Sequence, residues 1–227
     1  FPYTTLFRSV GGRHSVLSMV DVSTHYQLAV RLCAGGTPSS KLCADSKLCA
    51  DALNQSWITP FGPPSFVVTN QGVHNSGKVR ALLLAHGIEI RRIGVQAPHQ
   101  LGIGERHGGI LKHMMIKAIH NRQLSGAEAI SALCAESARV KNVTINFGGF
   151  SPAQWVLGHT PSDWTSLISH DAEMHLGVHQ GLVDMEEERT PQESFMIQLL
   201  IRQAAKEAFM QVDSSQKIRK AMLRKAA

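Results

Sequence analysis

"VVTNQGVHNSGKVRALLLAHGIEI", residues 67–90, holds two β-prone runs on either side of a helical stretch. The run at 65–69, SFVVT, has the length and β-branched content of a short buried strand. Asn75 and Ser76 are placed to cap a helix whose face is Val79, Leu82, Leu83 and His86, and Gly87 supplies its stop. Residues 88–93, IEIRRI, read as the next strand. Between the first strand and the helix lies the turn Asn70-Gln71-Gly72, where a strand end could present a catalytic carboxylate. The side chain there is an amide.

Upstream, SVLSMVDV (15–22) and YQLAVRLC (26–33) are β-rich runs joined by Ser23-Thr24-His25, the pattern of a hairpin. GGTPSS then breaks the chain, and a helix follows to about Thr59, stopped by Pro60 and GPP. Downstream, GVQAPHQLGIG (94–104) reads as a loop with three glycines and a proline. A long helix should run from about Gly104 to His120, with apolar positions 110, 111, 114, 115, 118 and 119. Another spans 125–143, with Ser125 and Glu128 spaced as a capping box. Strands first and helices interleaved afterwards predict an α/β domain with a mixed sheet. Beyond Pro161 the texture changes. TPQE (190–193) opens a helix to about Gln211 and a short basic helix follows, so a boundary is expected near 160–185.

The 227 residues, 43% hydrophobic, suffice for one ordinary domain and an appendage. No apolar run approaches the roughly 20 residues that cross a bilayer, so no membrane role is expected. No secretory signal pattern opens the chain. Cys33, Cys43, Cys49 and Cys134 lack C-x-x-C spacing, which argues against a zinc site or disulfide framework and for an intracellular setting. The net charge of +6 is uneven. Residues 10–160 carry fourteen Lys/Arg against seven Asp/Glu, whereas 161–227 carry eight against ten. That bias favours a polyanionic partner, nucleic acid first.

Two stretches stand apart. Residues 1–9, FPYTTLFRS, match one translated frame of a widely used sequencing adapter and are set aside from the fold, which leaves the protein's own start missing. Residues 40–51 are the tandem hexamer SKLCADSKLCAD. Six residues turn a helix by about 600°, so the copies face different ways and only one can continue the stripe Ala50, Leu53, Trp57.

MVDVSTHY, VVTNQGVHN and APHQLGIGERHGGILK together resemble the three signatures of the retroviral and LTR-retrotransposon integrase catalytic core, which has an RNase H-like fold. The family pattern is an Asp on the first strand, an Asp in a T/S-D-x-G turn, and a Glu about 35 residues later. Asp21, Asn70 and Glu105 match it, and FSPAQWVLGHTPS (150–162) resembles the segment that closes the core in retrotransposon copies. The resemblance covers about 12–165. It implies a core over 10–165, an RNase H-like mixed sheet flanked by helices, with a helical C-terminal extension over 166–227.

By resemblance the activity is DNA 3′-end processing and strand transfer, a polynucleotidyl transferase reaction with Mg²⁺ or Mn²⁺. Asp21 and Glu105 would be metal ligands, with position 70 between them. Two hard cations clamp the attacking and leaving oxygens in such chemistry, hence the need for carboxylates. Gln100 resembles the glutamine of a mobile loop and Lys112 a DNA-end contact; Arg91, Arg92 and Arg106 are phosphate-contact candidates. Glu105 and Lys112, seven apart, share a helical face. DNA is the implied partner, a homo-oligomer the implied assembly, and the nucleus the place where a retroelement polyprotein fragment of this kind meets chromosomal DNA.

Asn70 departs from the pattern, and residues 52–88 hold no Asp or Glu to replace it. A unit charge lost about 4 Å from a cation costs on the order of 4 kcal/mol at an effective dielectric near 20. A weakened or inactive centre is therefore expected. A non-catalytic DNA-binding module or a defective fragment is the alternative. Other signals rank lower: GIGERHGG fails the dinucleotide spacing at His107, and His107, His113 and His120 are spaced six and seven apart, poorly for a metal. The stripe Ile197, Ile201, Ala205, Ala208 reads as packing or self-association.

Overall fold

The β-rich start of the chain forms an antiparallel meander. The structure, a computed structural model, describes residues 2–9, 12–35, 46–69, 77–92, 98–161 and 191–225. Strands β1 (Pro2–Ser9), β2 (Gly12–Val20) and β3 (Gln27–Gly35) pair with β2 in the centre. The register runs from Pro2↔Met19 to Ser9↔Gly12 on one side, and from Val20↔Gln27 to Arg13↔Gly35 on the other. Pro2–Ser9, set aside on the sequence, are thus part of the sheet. Tyr, Thr, Leu and Phe are strong strand formers, and β2 offers a free edge to pair with.

The second sheet is the βαβ unit read at 67–90. β4 (Phe66–Thr69) and β5 (Glu89–Arg92) pair in parallel, Phe66 opposite Glu89 and Thr69 opposite Arg92, with helix α3 (Lys78–Ala85) between them in sequence. β4 lies against β1. The α/β class expected from the sequence is present, as a three-stranded antiparallel and a two-stranded parallel sheet.

Period-two alternation sends the β2 side chains to opposite faces. Val16 joins a core with α4 (Pro98–Arg122), α5 (Ala127–Thr144) and α7 (Pro191–Lys225), built from Leu111, Met114, Leu133, Ile201 and Ala205 among others. Leu17 and Met19 join a second core with α1 (Ser46–Leu53), Val67, Val79, Leu83 and Ile88. Every β2 side chain from His14 to Val20 is buried, so this strand is covered on both faces.

Helix boundaries differ from expectation where packing outweighs local signals. The described part of α1 lies in and after the second hexamer copy, passes through a π-helical turn (Asn54–Ile58) into the short α2 (Thr59–Phe61), and ends at Gly62 with φ 82°. The Ser46 hydroxyl accepts from the Val79 N–H, so this copy caps α3 across space; Asn75 and Ser76 lie outside the described residues. α4 starts at Pro98, six residues before the expected start, despite its glycines. Proline suits a first helical turn, and Gly104 is buried. Ser125 caps nothing: Gly126, at φ 83°, holds the N-cap of α5 without a side-chain bond. A capping box instead opens α6 (Pro152–Leu157), where Ser151 and Gln154 exchange hydrogen bonds. α7 is a single helix to Lys225 rather than two.

α7 is fastened by charge as well as by its apolar stripe. Arg202 of α7 donates twice to the buried Glu136 carboxylate of α5, both at 2.8 Å, and Arg139 donates once at 2.8 Å. Burial alone would raise the Glu136 carboxyl, but the two guanidinium groups more than offset it and hold it below its ordinary value. Its stabilising contribution is thus present above the ordinary carboxylate value of 4.5 and lost as pH falls through the lowered folded value. Glu136→Gln should cost about 2–3 kcal/mol at pH 7, measured by urea unfolding, because two partly buried arginines lose their counter-charge. The gap between variant and wild type should narrow as pH falls below 4.5.

Candidate functional site

Asp21 follows β2, not the first strand of the sheet. It sits where the chain turns into β3, and its backbone closes that turn: the Asp21 N–H donates to Tyr26 O and its carbonyl accepts from His25 N–H. Its carboxylate Oδ2 accepts from the Thr24 N–H at 2.9 Å and from the Thr24 hydroxyl at 2.5 Å. This is a side chain closing a loop on its own backbone, with His25 at φ 62°. β1, the strand beside β4, contains no Asp or Glu. Asp21 also borders a cleft of about 300 Å³ whose walls run from Pro64 to Val68 along β4.

The start of α4 reaches the same hairpin. The His107 ring meets His25 edge-on at 5.0 Å, and His25 also packs on Phe147 at 3.9 Å. His25 senses burial first, then the charges of Lys141 and Arg106, which lower its pKa against a raising pull from Asp21. Arg106, exposed like its neighbour Glu105, therefore acts on the same histidine as Asp21. One α4 turn further on than His107, Lys112 is exposed too. The hairpin and helix come together; the third member, Asn70, lies outside the described residues.

Beneath this corner is a polar cluster that the sequence reading missed. The Asn142 amide bonds both backbone groups of Gln27, at 2.9 and 2.8 Å. The Gln27 side chain donates to Ser18, at 2.7 Å, and to the His107 carbonyl, at 3.4 Å. Fully buried Lys141 donates to Gln27 Oε1 and to His107 Nδ1. An ammonium beside that nitrogen makes Nδ1 the acceptor, with the ring proton on Nε2. Burial pushes Lys141 down to about 7, and burial followed by the Lys141 charge pushes His107 down to about 3. A signal for this did exist. Ile130, Leu133, Cys134, Ser137, Ala138 and Lys141 form one i, i+3, i+4 stripe, so position 141 was destined for the interior.

The remaining candidates divide. Arg91 donates to Glu89, at 3.0 and 2.9 Å, and lies over the Phe66 ring at 3.9 Å, so a carboxylate already neutralises it. Arg92 ends β5 and Gln100 lies in the first turn of α4, with both side chains outside the described residues. Among the described residues no three His, Cys, Asp or Glu side chains group to hold a metal ion. Among the described residues, Asp21 Oδ2 is engaged by Thr24 and β1 contributes no acid. Among the described residues, no helix is long and apolar enough to cross a membrane.

Two stability measurements check these assignments. Asp21→Ala should cost about 1–2 kcal/mol by losing the Thr24 bonds, whereas Asp21→Asn, which keeps an acceptor oxygen, should cost clearly less. Lys141 titrates lower in the folded chain than its ordinary 10.5, so the unfolded chain holds the proton more tightly and folding is penalised below about pH 7. That penalty lifts as pH rises. Relative to Lys141→Met, the wild type should gain up to about 1.4 kcal/mol per pH unit between about pH 7 and 10.

No protein-family model and no curated protein matches the chain. Solved structures do. A chain of the simian T-cell lymphotropic virus intasome aligns at 17% identity and TM-score 0.56, over 70% of this chain and 53% of that one, so this protein spans about half its length. The HTLV-2 integrase catalytic core domain, in complex with magnesium and in dimeric form, aligns at 15% identity and TM-score 0.52, over 70% of this chain and 93% of that domain. The BIV integrase catalytic core aligns at 15% and 0.51, over 68% and 91%. Segments that share so little sequence superpose in path and order. The chain has the fold of the retroviral integrase catalytic core.

Proposed function

We propose that this chain is a retroelement-derived DNA-binding module with an integrase-core fold, in which metal-dependent phosphoryl transfer is weak or lost. One observation carries the reading: the Asp21 carboxylate is engaged by Thr24 at the β2–β3 turn, and β1 has no acid to take its place. With an amide at position 70 and Asp21 engaged at the turn, Glu105 is the remaining carboxylate of the three proposed positions. Clamping two divalent cations takes several anionic oxygens, so the second ion would be held poorly.

Binding survives such a loss because it draws on other groups. Residues 10–160 hold seven more basic than acidic residues, and Arg106 and Lys112 stand exposed on α4. Neutralising phosphates releases counterions, which makes affinity fall with salt. Arg106, Lys112 and, with less charge to offer, Arg91 are the proposed contacts; Arg92 and Gln100 are proposed on their positions alone. Self-association is part of the proposal, since the HTLV-2 core occurs in dimeric and trimeric forms. An origin in a retroelement polyprotein and a nuclear site of action follow from the same reading.

A competent integrase is the second reading, favoured by the shared neighbourhood of Asp21 and the Glu105 turn. Nicking of a short DNA duplex with Mg²⁺ or Mn²⁺ separates the two. The wild type should bind the duplex and not nick it, and Lys112→Gln should flatten the salt dependence by about one unit. Asn70→Asp should remain inactive, because the first ligand is missing as well. Nicking by Asn70→Asp that Glu105→Gln abolishes would overturn the proposal and restore the metal centre with Asp21 in it.

A further inference from the structure

The cleft between the end of β2 and the start of β4 has a sign opposite to that of the chain around it. Its volume is about 300 Å³, and the buried side chains Met19, Leu53 and Val67 line it. Trp57 and Phe66 add aromatic walls. Asp21 is the one charged residue among its described walls, on a chain whose net charge is +6. A phosphate placed there would meet a carboxylate and no cation, so the DNA-binding reading leaves the cleft unexplained.

The walls are held in place without a ligand. A π-helical bond from the Thr59 N–H to the Asn54 carbonyl interrupts the helix beside Trp57, and such irregular turns recur at functional sites. The Trp57 ring rests on Phe61 at 5.6 Å, and Phe61 meets Tyr26 edge-on at 5.9 Å. Arg91 lies over the Phe66 ring and is itself paired with Glu89. Both Thr24 bonds to Asp21 go to Oδ2, and among the described residues no hydrogen bond reaches Oδ1. One open oxygen is too little for two divalent cations, yet it suffices for a single ammonium.

We propose that this cleft is a binding site for a small arylalkyl ammonium ion, whose ammonium donates to Asp21 Oδ1 while its ring packs against Trp57 inside the cleft. The size fits. An apolar cavity of about 150 Å³ holds one benzene molecule, so about 300 Å³ takes a ring and its amine-bearing arm. Burial of the ring supplies the affinity, and the carboxylate, with the face of Trp57, selects the cation. The proposal stands apart from the DNA-binding reading, because neither Arg106 nor Lys112 lines the cleft.

The test titrates the full chain, labelled with ¹⁵N, with 2-phenylethylamine at neutral pH. It follows the Trp57 indole N–H signal, assigned by its loss in Trp57→Phe. A saturable shift is expected. 2-Phenylethanol, similar in shape but uncharged, should bind roughly tenfold or more weakly, the worth of a charge-assisted hydrogen bond. The anion 3-phenylpropanoate should leave the signal unmoved. Asp21→Asn should bring amine and alcohol to the same affinity while the spectrum keeps the dispersion of the folded chain. Equal affinity for amine and alcohol in the wild type overturns the proposal, as does a preference for the anion, and neither comparison needs a variant to fold. If Asp21→Asn binds the amine as tightly as the wild type, Asp21 is not the anchor and the proposal falls. It falls too if the amine gives no saturable shift, and a shift with Mg²⁺ alone would mark Asp21 as a metal ligand. No arm uses DNA, so failure of the DNA-binding reading leaves these outcomes untouched.

Discussion

The start of β3 is the joint on which the rest of the structure depends. At Gln27 the Asn142 amide takes the place of a neighbouring strand, bonding both the N–H and the carbonyl, while the Gln27 side chain reaches Ser18, His107 and Lys141. Sheet, α4 and α5 are thereby fastened at one residue. Buried polar groups tolerate no gaps, since each unpaired one costs about 1–3 kcal/mol. The cluster sets the register of α4 against the hairpin, and with it the placement of Glu105 and Arg106. A buried lysine without a carboxylate is the cost of that joint, moderated by the fall of its pKa to about 7.

This geometry separates fold from chemistry. Shared folds host many activities, so likeness to integrase cores at 15–17% identity speaks to the path of the chain. The chemistry depends on whether carboxylates stand where cations would sit. Here the hairpin uses one acid for its own turn, an amide occupies the second position, and the third stands on an exposed helix face. Exposed basic groups on α4 are less demanding. A phosphate contact needs charge and reach, while a metal centre needs several ligands within a fraction of an ångström.

α7 illustrates how one helix can serve two ends. From Ile197 to Val212 its apolar stripe fills the space between α4 and α5, and Arg202 locks it to Glu136. Past Val212 the described side chains from Ser214 to Arg219 are exposed. The core half supplies the stability that the projecting half lacks, which is why the helix does not stop at the expected break near Gln211.

Much of this was legible in the residues. The hairpin, the βαβ unit at 67–90, the stripes of α4 and α5 and the shared face of Glu105 and Lys112 all follow from periodicity, which is local. Even the role of Asp21 had a local sign, because an Asp three residues before a Thr in a tight link is a turn pattern. Other features required the tertiary structure. Pro2–Ser9 join the sheet only because β2 has an edge to pair with, and no window of sequence contains that edge. α4 begins at Pro98 although glycines disfavour helix by about 1 kcal/mol each, an amount that packing against the sheet outweighs. Ser46 caps α3 from 33 residues away. Lys141 becomes a neutralisable base only when Gln27 and His107 close over it. Periodicity determined which face of each element turns inward; contacts between residues far apart in the chain decided what each polar group there does.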